Sequence, residues 1–156
     1  MSNTPKDTEL SSWHRYFAIQ NNNRAWTLVE QENRTPGENN EMLNTAHAAA
    51  FHWEYFAKEL NSMRATMLLA EVHALMNLGE TAFQYAEVVK AYFINQETPD
   101  WELAFTYAIH AHAAFSAGKI EIFKESYAEA LKAIEAINDE EDRNIVMQTF
   151  KNIPLS

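Results

Sequence analysis

Residues that turn the chain are scarce in this sequence, which has 3 glycines and 4 prolines among 156 residues. Glycine and proline together usually form roughly 12% of a globular sequence, and their share here is less than half of that. A β-sandwich or β-barrel needs a turn every ~8–12 residues. The scarcity therefore argues against those folds and favours an all-α protein, which at this length forms one domain over residues 1–156.

Cysteine is absent, which excludes disulfides, thiolate metal ligands and cysteine nucleophiles. The sequence also has no run of about 18 apolar residues. Its first ten residues, MSNTPKDTEL, lack the apolar stretch of a signal peptide. We therefore expect a cytoplasmic protein with no membrane-spanning segment, and we expect residues 1–8 to be frayed.

Basic residues are few as well: 12 Lys and Arg stand against 22 Asp and Glu, for a net charge of −10. Such a charge repels phosphate backbones and anionic lipids, so we expect neither a nucleic-acid nor a membrane partner. The sequence has no Gly-x-Ser-x-Gly elbow, no His-Glu-x-x-His and too little glycine for a phosphate loop. We therefore assign no catalytic residue, cofactor or metal, and the sequence leaves open whether the protein is an enzyme.

Apolar residues recur every three and four positions in seven segments, which is the pattern of amphipathic helices. The first segment starts near Trp13 and either stops at Asn21-Asn22-Asn23 or continues to Val29. The next five segments cover about 38–58, 62–77, 80–95, 99–117 and 119–137, and a short seventh holds Ile145, Val146 and Phe150.

The few turn residues lie at the ends of these segments. Thr35-Pro36-Gly37-Glu38 has the spacing of a capping box with proline at the first helical position. Gly79 and Gly118 each follow a long apolar pattern, so we predict that both are C-terminal caps.

An internal repeat relates two of the helix pairs. Ala70 aligns with Ala111, and at the same offset Asn77 aligns with Gly118, which defines a 41-residue register. Downstream, Ala82, Ala86 and Val89 align with Phe123, Tyr127 and Ala130. An earlier copy is weaker, since Trp26 aligns with Thr66 at an offset one position shorter and the connecting loop must be longer. A helix pair does not bury its apolar face alone, so stacked pairs must form the core.

The residues at these positions resemble the tetratricopeptide repeat. Tyr107, Ala111, Gly118, Tyr127 and Ala130 match its signature positions. The strings at 22–26, 46–53, 68–75, 99–105 and 139–143 also resemble a group of short bacterial proteins with this fold and no assigned activity. The resemblance implies antiparallel helical hairpins stacked as a short right-handed superhelix of about seven helices. It also implies a concave groove, lined by the first helix of each hairpin, that binds a peptide or a partner protein.

By this resemblance, the groove side chains include Arg24, Arg64, Met67, Glu71, Phe105 and His112. A guanidinium suits a carboxylate or phosphate ligand. Alternatively, both arginines form ion pairs with neighbouring glutamates, which are frequent on protein surfaces.

Two other functions compete with the groove. A pocket around His47, His73 and Glu71 would make the chain a small-molecule or metal-binding protein, and possibly an enzyme, although none of its six histidines has the spacing of a chelating pair on one helix face. In ordinary helices such histidines are more often core or surface residues than ligands, and the four tryptophans, at helical spacing, are more often core residues than a ligand site. A homodimer that buries an end helix is the third alternative.

Overall fold

The computed structural model describes residues 7–56 and 58–155, and this part of the chain is all-α, with seven helices and no β-strand. The helices are α1 (Asp7–Glu30), α2 (Pro36–Glu54), α3 (Glu59–Leu75), α4 (Gly79–Ile94), α5 (Asp100–Ser116), α6 (Ile120–Ala136) and α7 (Glu140–Phe150). The predicted fold class is confirmed. Residues 1–6 of the segment expected to fray lie outside the described residues. None of the described helices is both long and apolar enough to cross a bilayer.

The start of α2 follows the predicted capping box. The backbone N–H of Glu38 donates to the Thr35 hydroxyl at 3.2 Å, and the N–H of Thr35 donates to the Glu38 carboxylate at 3.1 Å. Helix α1 continues through Asn21-Asn22-Asn23, so the longer of the two predicted first helices is confirmed at its C-terminal end. The helix begins at Asp7, before the predicted start near Trp13. The predicted α2 was too long at its C-terminal end, because the apolar pattern continues beyond Glu54, where the helix ends.

The 41-residue register recurs in the backbone at two turns. Asn77 and Gly118 both have positive φ, 58° and 74°. In the first turn, the N–H of Leu78 donates to the His73 carbonyl at 2.9 Å and that of Asn77 to Ala74 at 3.0 Å. The same two bonds recur one repeat later, from Lys119 to Ala114 at 2.8 Å and from Gly118 to Phe115 at 3.0 Å. Both turns are therefore Schellman caps, which end a helix with one left-handed residue.

The predicted role of Gly79 was wrong. Asn77 takes the left-handed position there, because asparagine tolerates that conformation better than most residues. Gly79 instead begins α4 and packs against the end of α5. A Cβ atom at Gly79 would stand 2.1 Å from the Ser116 carbonyl oxygen. Glycine is present here because two backbones approach closely, and not because of a turn.

Each even-numbered helix packs on the odd-numbered helix before it, so α1–α2, α3–α4 and α5–α6 are hairpins. The odd-numbered helices also contact one another in the order α1, α3, α5, α7. Helix α7 then returns to α1, and the Asn152 side-chain amide donates to the Val29 carbonyl at 3.4 Å. The four odd-numbered helices, called the inner helices below, therefore surround a common space.

The core has two parts. The larger one lies among α3 to α7 and includes Phe93, Ile109 and Val146. The smaller one joins α1, α2 and α3, through side chains such as Leu28 and Met42. Stacking the hairpins buries apolar faces that one hairpin leaves exposed.

Candidate functional site

The inner helices enclose a pocket of about 300 Å³ that is open to solvent on one side. Its walls are Asn22, Trp26 and Glu30 of α1, Arg64 and Met67 of α3, Trp101, Glu102 and Phe105 of α5, and Ile145 and Thr149 of α7. Positions three, four or eight apart share one face of a helix, so each inner helix presents one stripe to the pocket. We call this space the inner pocket.

Three of the ten wall residues of the inner pocket are aromatic. The ring of Phe105 lies 6.0 Å from that of Trp26 and 6.3 Å from that of Trp101, both in edge-on arrangements. Edge-on packing is favourable for aromatic pairs and fixes the orientation of the rings. Phe105 is buried, whereas the two indoles are half-buried. The indoles therefore present apolar surface to whatever enters the pocket.

An ion pair lies beside these rings. Arg64 donates from Nε to Glu102 Oε1 at 2.6 Å and from Nη2 to Oε2 at 2.9 Å. Glu102 is 3% exposed, while the Arg64 side chain is 43% exposed and its guanidinium lies 5.5 Å over the Trp101 ring. The hydrogen bonds to Glu102 raise the pKa of Arg64 above its ordinary value. The pair thus joins α3 to α5 and leaves one edge of the guanidinium facing solvent.

Arg24 forms a pair of the same kind, but outside the inner pocket. Its Nε and Nη2 donate to the two carboxylate oxygens of Glu41 on α2, at 2.5 and 3.1 Å. Both side chains are exposed, and the hydrogen bond from Arg24 lowers the pKa of Glu41. Both arginines therefore form the ion pairs that the alternative interpretation of the sequence predicted.

Glu71 and His112 pair with each other beneath the surface. The Nδ1 atom of His112 lies 3.2 Å from both carboxylate oxygens of Glu71, and both residues are buried. They occupy equivalent places in successive repeats. Of the six predicted groove residues, the structure brings Arg64, Met67 and Phe105 into the inner pocket. It places Arg24 at the surface, and Glu71 and His112 in the core.

A second cavity of about 300 Å³ lies between α2, α3 and α4, and His47 is in its wall. The ring of His73 stands perpendicular to that of His47 at 5.4 Å, and Nδ1 of His73 donates to the Leu69 carbonyl at 2.7 Å. Burial, and then the nearby His73, lower the pKa of His47. Glu71 is absent from this cluster, since it pairs with His112. In the part of the chain that the structure describes, no three His, Asp or Glu side chains are grouped to hold a metal ion.

One buried cluster was not predicted from the sequence. His110 Nδ1 is hydrogen-bonded to the Ser126 hydroxyl at 2.6 Å, and its Nε2 lies 3.5 Å from a Glu87 oxygen. Burial lowers the pKa of His110, which favours its neutral form. Serine, histidine and glutamate are the residue types of a nucleophilic triad. Ser126 and His110 are buried, however, so no substrate reaches the hydroxyl.

Comparisons of the chain with protein-family models, curated proteins and solved structures found no match. The resemblance to the tetratricopeptide repeat therefore stays a prediction from the residues at 107–130. The repeated turns and the inner pocket are observed directly and do not depend on that resemblance.

Proposed function

We propose that this protein is a binding module that holds one side chain of a partner peptide in the inner pocket. The observation that carries the proposal is the composition of the pocket: aromatic walls on rigid helices, with one ion pair whose donors and acceptors are already matched. Sites that bind by shape and apolar contact are built in this way, with few polar groups to fix orientation. Buried aromatic anchors also dominate the energetics of protein interfaces.

The shape around the pocket favours a peptide over an isolated small molecule. A smaller depression of about 180 Å³ continues from the pocket between α5 and α7, and it shares Trp101, Phe105 and Ile145 with the pocket. A peptide that places one side chain in the inner pocket has room for its neighbouring residue in this depression. Catalysis is not supported, because Arg64 and Glu102 are bound to each other and the pocket wall holds no histidine that would activate a hydroxyl.

Selection from a random peptide display library, followed by affinity measurement, tests this function. We expect Trp101→Ala to weaken the selected peptides about tenfold or more, because alanine removes an anchor wall. Trp53→Ala is the matched control, since Trp53 is half-buried like Trp101 and lies on α2 outside the pocket wall. Peptides that bind both variants as tightly as the native chain would overturn the proposal.

A second proposal concerns self-association through the end of the stack. Six large apolar side chains are between 42% and 56% exposed on α1, on α2 and just after α2: Leu10, Trp13, Tyr16, Phe17, Phe51 and Tyr55. We call them the end patch. Side chains of this size bury about 100 Å² each when half-exposed, so two copies face to face reach roughly 1,200 Å², enough for a specific dimer.

A second copy is the occupant that the area of the end patch favours, since that area is enough for a specific dimer. The net charge of −10 on each copy opposes association, and this repulsion is weakest where the two surfaces in contact carry no carboxylate. The six end-patch side chains carry no charge. Light scattering should give the mass of a dimer for the native chain and of a monomer for Trp13→Glu/Phe51→Glu, with Leu131→Glu on α6 as the control. A native monomer at high concentration would contradict this second proposal.

A further inference from the structure

We infer that the side chain held in the inner pocket is cationic, a lysine or an arginine of the partner peptide. This inference rests on the proposed function and specifies the chemistry of the ligand. It follows from two features of the pocket: acidic groups that no basic side chain neutralises, and two indole rings, of which one already has a guanidinium over its face.

The charges around the pocket do not balance. Glu102 and Arg64 neutralise each other, with two hydrogen bonds between them. Glu30 also lies in the pocket wall, at the end of α1, and it forms no ion pair with any residue that the structure describes. Asp142 in the adjoining depression likewise has no basic partner within the described residues. The mouth of the pocket is therefore negative.

The aromatic walls suit a cation as well. The face of an indole attracts cations through its quadrupole, and tryptophan does this best among the aromatic residues. Trp101 already has the guanidinium of Arg64 over its ring at 5.5 Å. Trp26 has no cation over its ring among the described side chains, and it lies one helical turn before Glu30 on α1. Trp26 and Glu30 thus offer a ring face and a carboxylate to one incoming charge.

An anionic ligand fits this site poorly. It would meet Glu30, Asp142 and the field of a chain with a net charge of −10, while the nearby cation, Arg64, is already bound in a bidentate pair. The carboxylate ligand that the sequence suggested for the two arginines is therefore not the one that the pocket selects. A neutral apolar side chain would fill the pocket but gain no attraction from Glu30, whose exposed carboxylate stays hydrated.

The test uses three short peptides that differ at one central position, which is lysine, norleucine or glutamate. Nuclear magnetic resonance of the tryptophan indole N–H groups reports binding site by site, since Trp26 and Trp101 lie in the pocket whereas Trp13 and Trp53 do not. We expect the lysine peptide to shift the signals of Trp26 and Trp101 and to bind about three- to tenfold more tightly than the norleucine peptide. The glutamate peptide should shift neither.

A variant of Glu30 separates the contribution of its charge to binding from that of its side-chain volume. Glu30→Gln should reduce the preference for lysine over norleucine about threefold, because it removes the unpaired carboxylate and keeps the volume. Glu97→Gln, an exposed glutamate outside the pocket wall, is the control and should change nothing.

The outcomes distinguish the inference from the function on which it rests. Equal binding of the lysine and norleucine peptides, with shifts at Trp101, would overturn the cationic inference and leave the binding module standing. The cationic inference would likewise be overturned, and the binding module would stand, if a library-selected peptide binds at the pocket and the lysine peptide does not. If neither the lysine peptide nor any selected peptide shifts Trp26 or Trp101, the inference and the proposed function both fail.

Discussion

The first hairpin and the middle hairpin place an arginine at related positions and use it differently. Arg24 and Arg64 each bind a glutamate through two hydrogen bonds. The partner of Arg24 is Glu41, in the same hairpin and in solvent. The partner of Arg64 is Glu102, in the next hairpin and buried. The same chemistry therefore makes a surface pair in one repeat and a joint between repeats in the other.

The hairpins also differ in the turns that join their helices. The middle and last hairpins repeat their Schellman caps bond for bond in the same register, through Asn77 and Gly118. The first hairpin has a longer loop that ends in the Thr35 capping box. It is also the hairpin that carries the end patch. The first hairpin has a neighbouring hairpin on one side only, so part of its apolar surface remains exposed.

The largest expected difference in stability between the hairpins follows substitution of two helical glycines. Gly79→Ala should lower the free energy of unfolding by about 2–3 kcal/mol, because the new Cβ atom would meet the backbone of Ser116. Gly37→Ala in the first hairpin should raise it by up to about 1 kcal/mol, since the nearest atom is 3.8 Å away and alanine favours the helix. Urea denaturation measures both, and equal effects would contradict the close approach at Gly79.

The second largest difference in stability is expected between substitutions of the two arginines. Arg64→Met keeps the apolar stem and leaves Glu102 buried without a partner, so we expect a loss of about 2 kcal/mol, moderated by solvent at the exposed guanidinium. Arg24→Met should change the stability much less, because Glu41 stays in water. Thermal and denaturant unfolding of the two variants compare them directly. If Arg24→Met is as harmful as Arg64→Met, the distinction between the surface pair and the joint is wrong.

The two Schellman turns allow a smaller test. Gly118→Ala should cost about 1 kcal/mol, because the position has positive φ and its Cβ atom meets nothing within 4 Å. Asn77→Gly should be neutral or stabilising by about a few tenths of a kcal/mol, since glycine adopts the same conformation without strain. Denaturation midpoints check both, and a neutral Gly118→Ala would show that the last turn does not need its left-handed residue.

The smallest expected difference concerns pH. Burial, and then the charge of Lys90, lower the pKa of His110 in the folded chain. The unfolded chain therefore binds this proton more readily, and stability should fall as the pH drops through about 6.5, the value of an unperturbed histidine. His110→Gln should make this fall shallower. His52→Gln in the first hairpin, where the histidine is only half-buried, should have less effect. Stability measured from about pH 7.5 to about pH 5.5 tests the ranking.

The candidate site was predicted only in part. The resemblance to the tetratricopeptide repeat placed Arg64, Met67 and Phe105 in one groove, and the structure brings these three side chains into the inner pocket. The same reasoning placed Glu71 and His112 in the groove, where their charges suited a ligand. The structure buries them as a pair, because each side chain satisfies the other across two repeats. Nothing local in the sequence identifies such a partner.

The sequence alone determined the seven helices, the capping box of α2 and the 41-residue register, because periodicity, caps and turns are local properties. Only the tertiary structure decided which charged side chains meet, and that α7 returns to α1 to close the inner pocket. It also decided that Gly79 serves a close contact rather than a turn. These features depend on distances between helices that are far apart in the chain, and a repeat sets those distances only when its neighbours are in place.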